Sequence, residues 1–365
     1  MENTKPSYYN DTKPSMHRRC DGWDYKGRGI YMLTLTVEGR KPILGNLMGN
    51  ESEAYIEMSD LGKAIAQEVE KIPSHYPQIR VLCKQVMPDH LHFVLFVQEA
   101  LPVHLTSVIT GFKTGCSRAF WLLHPAHKIA GTEHPVYTNA GGKEVSCAAD
   151  FHEAVNKPKR QGLWEAGYHD RILFHKDQLD AMIQYIHDNP RRLWLKRANP
   201  DLFRIRRQTM VAGIECTTLG NMFLAERPMR TVLQCSRKLT QAEIDAKRED
   251  CLAKADNGTV FISAAISEGE KQISRALRRA GYPMIILLNN GFPKPGDPHE
   301  RYYKPGGEYF DVCANGQLLL IEPSQALIDS PEVEASVYCK AHDVPHSSPR
   351  YRFLALNAIG WMMET

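Results

Sequence analysis

The sequence predicts two domains, an α+β ferredoxin-like domain with the element order βαββαβ and, after it, an α/β Rossmann-like domain. The chain has 365 residues, which is long for a single hydrophobic core. Over roughly residues 28–195, patterns typical of strand, helix, strand, strand and helix follow one another. After residue 210, short and continuously apolar strands are joined through a helix, which is typical of a parallel sheet.

The segment 57–73 has the periodicity of an amphipathic helix. In the segment 57–73, Leu61, Ile65 and Val69 recur every four residues and therefore share one helix face. Ser59 precedes the first of them and is the predicted N-cap. The segment therefore predicts an amphipathic helix that begins near Ser59.

The other elements follow from the same periodicities. A second helix is predicted over 105–123 and a third over 175–190, where Pro190 is expected to end it. Strands are predicted in the segments 29–45 (with a turn at Glu38-Gly39), 78–88, 90–97, 258–266, 282–291 and 316–323.

The predicted boundaries divide the chain into an arm and two domains. They are a polar N-terminal arm at 1–27, the ferredoxin-like domain at 28–210 with a loop insertion at about 124–160, and the Rossmann-like domain at 211–365. The insertion is inferred from its richness in Gly, Pro, His and Lys.

Composition excludes several classes of protein. With 45 Lys and Arg against 42 Asp and Glu, the net charge of +3 does not by itself indicate nucleic-acid binding, so any basic surface must be local. The nine cysteines are scattered without a C-x-x-C pair, which argues against a disulfide framework and a zinc ribbon. The first residues contain no apolar signal segment, and no run is long enough to cross a membrane. These features predict a cytoplasmic protein without membrane contact.

Two histidines stand in the apolar segment "VMPDHLHFVLFV" (86–97). His90 and His92 are two residues apart, so on a strand they point to the same face and form half of a site for a divalent metal. The pattern is a weak signal, because a chain with 15 histidines yields such pairs by chance. The alternative is a pair of core or partly exposed histidines on a sheet.

The segment "QYIHDNPRR" (184–192) offers partners for this pair. Tyr185 and Asn189 are four residues apart and share a helix face. The amide oxygen of Asn189 suits a hard ion such as Mg²⁺ or Mn²⁺, and Mn²⁺ also accepts imidazole. Alternatively, Tyr185 only packs on the sheet and Asn189 only caps a helix.

Four stretches together resemble a known family: "YMLTLTVEGRKPILG", "VMPDHLHFVLF", "ITGFKTGCSRAF" and "LWEAGYHDRILFHKDQLDAMIQYIHDNPRR". In this order they resemble the single-tyrosine HUH transposases of the insertion-sequence-200-like and REP-associated tyrosine transposase branch. The resemblance implies a ferredoxin-like nuclease domain for single-stranded DNA. It also implies that His90, His92 and Asn189 bind a divalent metal, Mg²⁺ or Mn²⁺, and that Tyr185 forms a 5′-phosphotyrosine link.

A basic segment, "RRLWLKRANPDLFRIRRQ" (191–208), follows the predicted Tyr185 helix and carries seven basic residues against one acid. Bases could stack on Trp194 and Phe203 while the basic side chains meet phosphates. The alternative is a solvated linker helix. The predicted DNA-binding residues are Arg191, Arg192, Trp194, Lys196, Arg197, Arg204, Arg206 and Arg207.

The expected function is a metal-dependent single-stranded DNA endonuclease and strand transferase that acts on hairpin or repeat DNA, as a monomer or a homodimer. One alternative is a non-catalytic, domesticated DNA-binding or regulatory protein derived from a transposase. Another is a metal-dependent phosphodiesterase without a covalent step. The C-terminal domain weakly resembles the Rossmann-like domain of DNA-processing protein A. It lacks G-x-G-x-x-G, so a dinucleotide is not expected, whereas single-stranded DNA binding, nucleotide binding and assembly all stay open.

Overall fold

The chain is a mixed α/β protein of two compact units, Met1–Trp194 and Leu195–Thr365. The computed structural model describes residues 23–124, 137–138, 144–145, 162–297, 300, 303–336, 344 and 348–364. Most of the predicted N-terminal arm (1–27) and most of the predicted insertion (124–160) lie outside the described residues.

The first unit is built around a four-stranded antiparallel sheet with the strand order β4-β5-β1-β8. The pairs β2–β3 and β6–β7 form two small separate sheets. The elements are β1 (Gly29–Thr36), β2 (Gly45–Met48), β3 (Tyr55–Met58), α1 (Asp60–Glu70), α2 (Ile72–His75), β4 (Ile79–Val86), β5 (His90–Val97), α3 (Leu105–Leu123), β6 (Tyr137–Thr138), β7 (Glu144–Val145), β8 (His169–Leu173) and α4 (Lys176–Ala198).

The helices α1 and α3 cover one face of this sheet. The prediction for α1 is confirmed, because Ser59 accepts a hydrogen bond from the backbone N–H of Gly62 and the residues Leu61, Ile65 and Val69 are buried. The predicted bounds of α3 are confirmed as well. Leu91 and Phe93 of β5 are fully buried in this layer.

The helix α4 covers the opposite face. Side chains alternate along a strand, so His90, His92 and Val94 point away from Leu91 and toward this face. Val94 packs in a small cluster with Ile186 and Tyr185 of α4. The sheet thus presents the histidine pair to the helix that carries the predicted nucleophile.

The expectation that Pro190 ends the third helix is wrong, because α4 continues to Ala198. Proline has no N–H and cannot bond to the carbonyl four residues earlier, here that of Ile186. The side-chain amide nitrogen of Asn189 lies 3.5 Å from the carbonyl oxygen of Ile186. The same nitrogen donates a hydrogen bond of 2.9 Å to the carbonyl oxygen of Tyr185. A side chain thus supplies hydrogen bonding where the backbone donor is missing, and the helix passes the proline.

The second unit holds a six-stranded sheet with the order β11-β12-β13-β14-β10-β9. Its parallel strands β11 to β14 include the three strands predicted from 258–266, 282–291 and 316–323, and β9 and β10 pair antiparallel beside them. The elements are β9 (Arg206–Val211), β10 (Ile214–Gly220), β11 (Arg230–Val232), α5 (Gln241–Asp256), β12 (Val260–Ser263), α6 (Glu268–Arg279), β13 (Met284–Leu287), α7 (Tyr309–Ala314), β14 (Leu318–Pro323), α8 (Gln325–Ile328), α9 (Pro331–Glu334) and α10 (Pro349–Met362).

The structural division at Trp194 and Leu195 comes earlier than the predicted boundary at 210/211. The difference arises because β9 is an edge strand of the second sheet and the segment before it packs there too. Phe203 is buried and stacks on Phe310 with ring centroids 4.8 Å apart. None of the described helices combines the length and apolar character that crossing a membrane requires.

Gly62 gives a test of the packing of α1. A Cβ at this position would lie 2.0 Å from the backbone oxygen of Leu44, so Gly62→Ala forces the backbone to move. We expect Gly62→Ala to lower the free energy of unfolding by about 1–3 kcal/mol, measured by urea denaturation. Gly111→Ala on α3 is the control, since nothing lies within 4 Å of its Cβ. It should be stabilising by about 0.5–1 kcal/mol. Equal effects of the two changes would contradict this account.

Candidate active site

The histidine pair lies on β5, the strand bonded to both β4 and β1. The Nε2 atoms of His90 and His92 are 3.1 Å apart, and the rings meet edge to face with centroids 4.7 Å apart. His92 is buried, with 6% of its surface exposed, whereas His90 is partly exposed at the start of the strand. The sheet therefore directs both Nε2 atoms to one point.

The other ring nitrogen of each histidine is also held. The Nδ1 atom of His90 is 2.5 Å from one carboxylate oxygen of Asp89. The other carboxylate oxygen of Asp89 is 3.4 Å from the Nη1 atom of Arg40. Burial alone would raise the pKa of Asp89. The hydrogen bond from His90 and the positive charges of His90 and Arg40 outweigh burial, so the pKa of Asp89 lies below its ordinary value. The Nδ1 atom of His92 is 2.8 Å from the hydroxyl of Thr34, its cross-strand neighbour on β1.

These contacts fit two proton arrangements. In one, His90 donates from Nδ1 to Asp89, His92 donates from Nε2 to His90, and Thr34 donates to His92. In the other, the Thr34 hydroxyl accepts a hydrogen bond from the Nδ1 atom of His92. The proton of His92 then lies on Nδ1, and its Nε2 atom carries a lone pair. In that tautomer two lone pairs point to one place, which is what two ligands of one cation require.

The helix α4 places Tyr185 against this pair and carries Asn189 and Arg192 beside Tyr185. The ring of Tyr185 lies 6.2 Å from the ring of His92, centroid to centroid. Asn189, one turn later, is 1% exposed, and its amide nitrogen makes the bonds to backbone carbonyls that carry the helix past Pro190. The guanidinium of Arg192 lies 5.3 Å from the centroid of the Tyr185 ring. The sequence prediction that Tyr185 and Asn189 share a helix face agrees with these positions.

The Tyr185 hydroxyl is protonated near neutral pH. Burial raises the pKa of Tyr185 above its ordinary value of 10.0, while the charge of Arg192 and a hydrogen bond with Asn189 act in the opposite direction. The same two neighbours favour the phenolate once the proton leaves. The site therefore holds a neutral phenol among groups that stabilise its charged form.

The predicted DNA-binding residues do not form one exposed stripe. Most are engaged within the protein: Arg191 and Arg192 bond to Asp188, Lys196 to the carbonyl of Tyr303, Arg206 to Asp201, and Arg207 to Glu300 and the carbonyl of Pro293. Arg197 and Arg204 are exposed, and Trp194 is partly exposed. The suggestion that bases stack on Phe203 is wrong, because that ring is 5% exposed and stacks on Phe310.

Two residues of the site were not identified from the sequence. Asp89 precedes His90 directly, and a carboxylate beside a candidate metal-binding histidine was an available signal. Thr34 lies 58 positions from His92 in the chain and becomes its neighbour only through the pairing of β1 with β5. No pattern within either segment points to that register.

Comparisons with known proteins cover about half of the chain. No family model matches. An uncharacterized protein of Haemophilus influenzae is 22% identical over 177 residues, which are 47% of this chain and 86% of that protein. A solved REP-associated tyrosine transposase bound to a REP hairpin is 13% identical over 49% of this chain and 76% of its own, with a TM-score of 0.31. A putative transposase from Deinococcus radiodurans is 16% identical over 47% of this chain and 97% of its own, with a TM-score of 0.26. At these scores the two structures establish no shared fold.

Because the Asn189 side chain lies near the carbonyl that Pro190 leaves without a donor, we expect the effects of substituting these two residues on stability to be coupled. Asn189→Ala removes the side-chain amide donor near the buried carbonyl of Ile186, so we expect it to lower the free energy of unfolding by about 1–2 kcal/mol. In a Pro190→Ala background the restored backbone N–H can bond to the Ile186 carbonyl, so the same substitution should cost less there.

Urea denaturation of the wild type, both single variants and the double variant, all in buffer with EDTA, gives the coupling energy. Chelation keeps any effect on metal binding out of the measurement. The same loss in both backgrounds would show that Asn189 does not compensate for the proline.

Proposed function

We propose that the first unit is a single-stranded DNA endonuclease and strand transferase in which Tyr185 is the nucleophile. The observation that carries the proposal is the contact between Tyr185 of α4 and His92 of the histidine pair, with Asn189 hydrogen-bonded to Tyr185 one turn later. The resemblance of the sequence to single-tyrosine HUH transposases supports the same assignment.

The proposal includes a fold assignment for each unit. The order β1, α1, β4, β5, α3, β8 and the sheet order β4-β5-β1-β8 support a ferredoxin-like domain, to which β2, β3, α2 and α4 are additions. In the second unit, the parallel strands β11 to β14, with α5, α6 and α7 between them in the chain, support a Rossmann-like domain. The antiparallel pair β9–β10 extends that sheet.

The residues of the site fit a divalent cation. Two nitrogen ligands about 2.1 Å from one ion, at right angles, lie about 3 Å apart, which is close to the separation of the Nε2 atoms of His90 and His92. No cluster of three or more His, Cys, Asp or Glu side chains suited to a metal occurs in the described part of the chain. Further ligands would therefore come from Asn189, the substrate or water.

The proposed reaction exchanges one phosphodiester for another. A bound Mg²⁺ or Mn²⁺ would polarise the scissile phosphate and stabilise negative charge on its oxygens. The Tyr185 oxygen bonds to phosphorus as the bond from phosphorus to the 3′ oxygen breaks. The phenolic proton passes to solvent and the 3′ oxygen takes up a proton, which leaves a 5′-phosphotyrosine and a free 3′-hydroxyl. Attack of a 3′-hydroxyl on the phosphotyrosine reverses the exchange and joins strands.

Arg192 has a defined task in this scheme. Asp188 holds its guanidinium by a hydrogen bond of 2.8 Å, and it lies against the Tyr185 ring with 7% of its surface exposed. Its charge favours the phenolate that attacks phosphorus. Among the predicted DNA-binding residues, Arg197 and Arg204 are exposed and are the ones we assign to phosphate contact.

The nucleophile is tested with Tyr185→Phe. A hairpin oligonucleotide with a single-stranded extension, labelled at its 3′ end, is incubated with the full chain and Mn²⁺, and adducts are separated on a denaturing gel. We expect the wild type to retain the 3′ label covalently and Tyr185→Phe to lose the adduct, since phenylalanine has no attacking oxygen. A 5′ label should be released with the free 3′-hydroxyl.

Tyr55→Phe is the control, because Tyr55 is exposed on the β2–β3 hairpin. Adduct formation by Tyr185→Phe would rule out this nucleophile. Undiminished cleavage without any adduct would favour the phosphodiesterase alternative. Tight hairpin binding by the wild type without cleavage in Mg²⁺ or Mn²⁺ would favour the non-catalytic alternative.

Metal binding by the histidine pair is tested with substitutions of Thr34. Thr34→Val removes the hydroxyl that holds the Nδ1 atom of His92, and loss of such a support typically lowers metal affinity by roughly 10–100-fold. We expect a loss in this range for Mn²⁺, measured by electron paramagnetic resonance of the free ion. Thr34→Ser should keep most of the affinity, because it keeps the hydroxyl.

Thr114→Val is the matched control, since Thr114 is exposed on α3 and its hydroxyl bonds only to its own helix. The assignment of Thr34 would be wrong if Thr34→Val bound Mn²⁺ as tightly as the wild type while His92→Ala did not bind it.

A further inference from the structure

The second unit contains a cavity of about 630 Å³ with no role in the proposed cleavage reaction. It lies where the parallel strands β11 and β12 end, because its walls include the segments 234–238 and 266–267 that follow these strands. The first turns of α10 form another wall. In open α/β sheets, the carboxyl ends of parallel strands are the usual place for ligands. The volume falls within the roughly 300–1,000 Å³ of small-molecule sites.

The walls of this cavity are strongly basic. Among the described residues that line it, Arg237, Lys238, Lys247 and Arg350 are basic and Glu270 is the one acid. These residues come from three separate parts of the unit: the loop after β11, the helix α5 and the start of α10. Because the whole chain carries a net charge of only +3, four cations around one cavity are a local concentration of positive charge. The charge selects for an anion.

The acid does not occupy the cavity as a free charge. Glu270 is 3% exposed, and its two carboxylate oxygens accept hydrogen bonds from the backbone N–H groups of Cys235, Ile266 and Ser267, at 3.1, 2.7 and 3.2 Å. It therefore fills the N-terminus of α6, the place where a phosphate often binds in such folds. An anion in this cavity must then be held by the basic side chains.

Apolar and amide groups complete the walls. Phe353, Leu354 and Ile266 supply an apolar surface, and the buried amide of Asn357 lies beside them. Gln234 also lines the cavity, and its side-chain nitrogen is buried without a hydrogen-bond acceptor in the described part of the chain. A ligand that matches all these walls has a charged part and a flat, partly polar part.

We propose that this cavity binds a nucleoside phosphate, whose phosphates lie among Arg237, Lys238, Lys247 and Arg350 and whose base lies against Phe353. Cations match the phosphates, and the aromatic ring matches the base. The assignment does not depend on whether Tyr185 cleaves DNA. It concerns a different unit and different residues.

The test is isothermal titration calorimetry of the full chain with ATP, dTTP, inorganic triphosphate and a ten-nucleotide oligothymidylate. We expect ATP or dTTP to bind, and the double variant Lys247→Ala, Arg350→Ala to bind at least tenfold more weakly. The double variant Lys254→Ala, Arg227→Ala is the control, since it removes one lysine and one arginine that are exposed and do not line the cavity. Phe353→Ala should weaken nucleotide binding but not triphosphate binding.

Thermal melts show which variants are folded. If a cavity variant is not folded, Lys238→Ala takes its place, because it changes one exposed side chain. Several results would overturn the proposal: no binding of either nucleotide, equal losses in the cavity variant and the control, or equal affinity for ATP and inorganic triphosphate with no effect of Phe353→Ala. Binding of the oligothymidylate alone would also overturn it, because the cavity would then serve a DNA strand.

Discussion

The candidate active site depends on the hydrogen bonds that carry α4 past Pro190. Arg192 lies against Tyr185 because the helix continues beyond that proline, whose missing N–H leaves the carbonyl of Ile186 without its usual donor. The amide of Asn189 supplies the donor from the residue just before the proline. The same side chain bonds to the Tyr185 hydroxyl, so one residue contacts both the helix backbone near the proline and the proposed nucleophile. This double use explains why an asparagine stands buried on a helix, where it is ordinarily unfavourable.

Sequence periodicity predicted the parts of the fold that follow local rules. The strand with the histidine pair, the N-cap of α1, the bounds of α3 and the parallel strands of the second unit are all of this kind. The end of α4 could not be predicted, because the general behaviour of proline is overridden by one neighbouring side chain. The position of Thr34 beside His92 could not be predicted either, since it depends on strand register. The burial of Phe203 could not be predicted either, because its stacking partner Phe310 lies far along the chain.

Acidic residues determine which of the basic residues remain available. Asp188 binds two arginines in the first unit, and Glu300 binds Arg207 in the second. The number of basic residues in the sequence is therefore larger than the number available to bind a nucleic acid. In the cavity of the second unit, Glu270 is bonded to backbone N–H groups rather than to the described lysines and arginines that line the cavity. The partners of each acid, rather than net charge, decide where an anion can bind.

The two halves of the candidate active site are attached to the protein in different ways. The histidines belong to a strand with backbone hydrogen bonds on both sides, so moving them requires breaking the sheet. Tyr185 belongs to a helix that meets the sheet through apolar side chains such as Ile186 and Val94. Local opening that separates helix from sheet costs less than opening the sheet itself. The proposed ion site therefore stands on the more firmly held element, and the proposed nucleophile stands on the one that can move away from it.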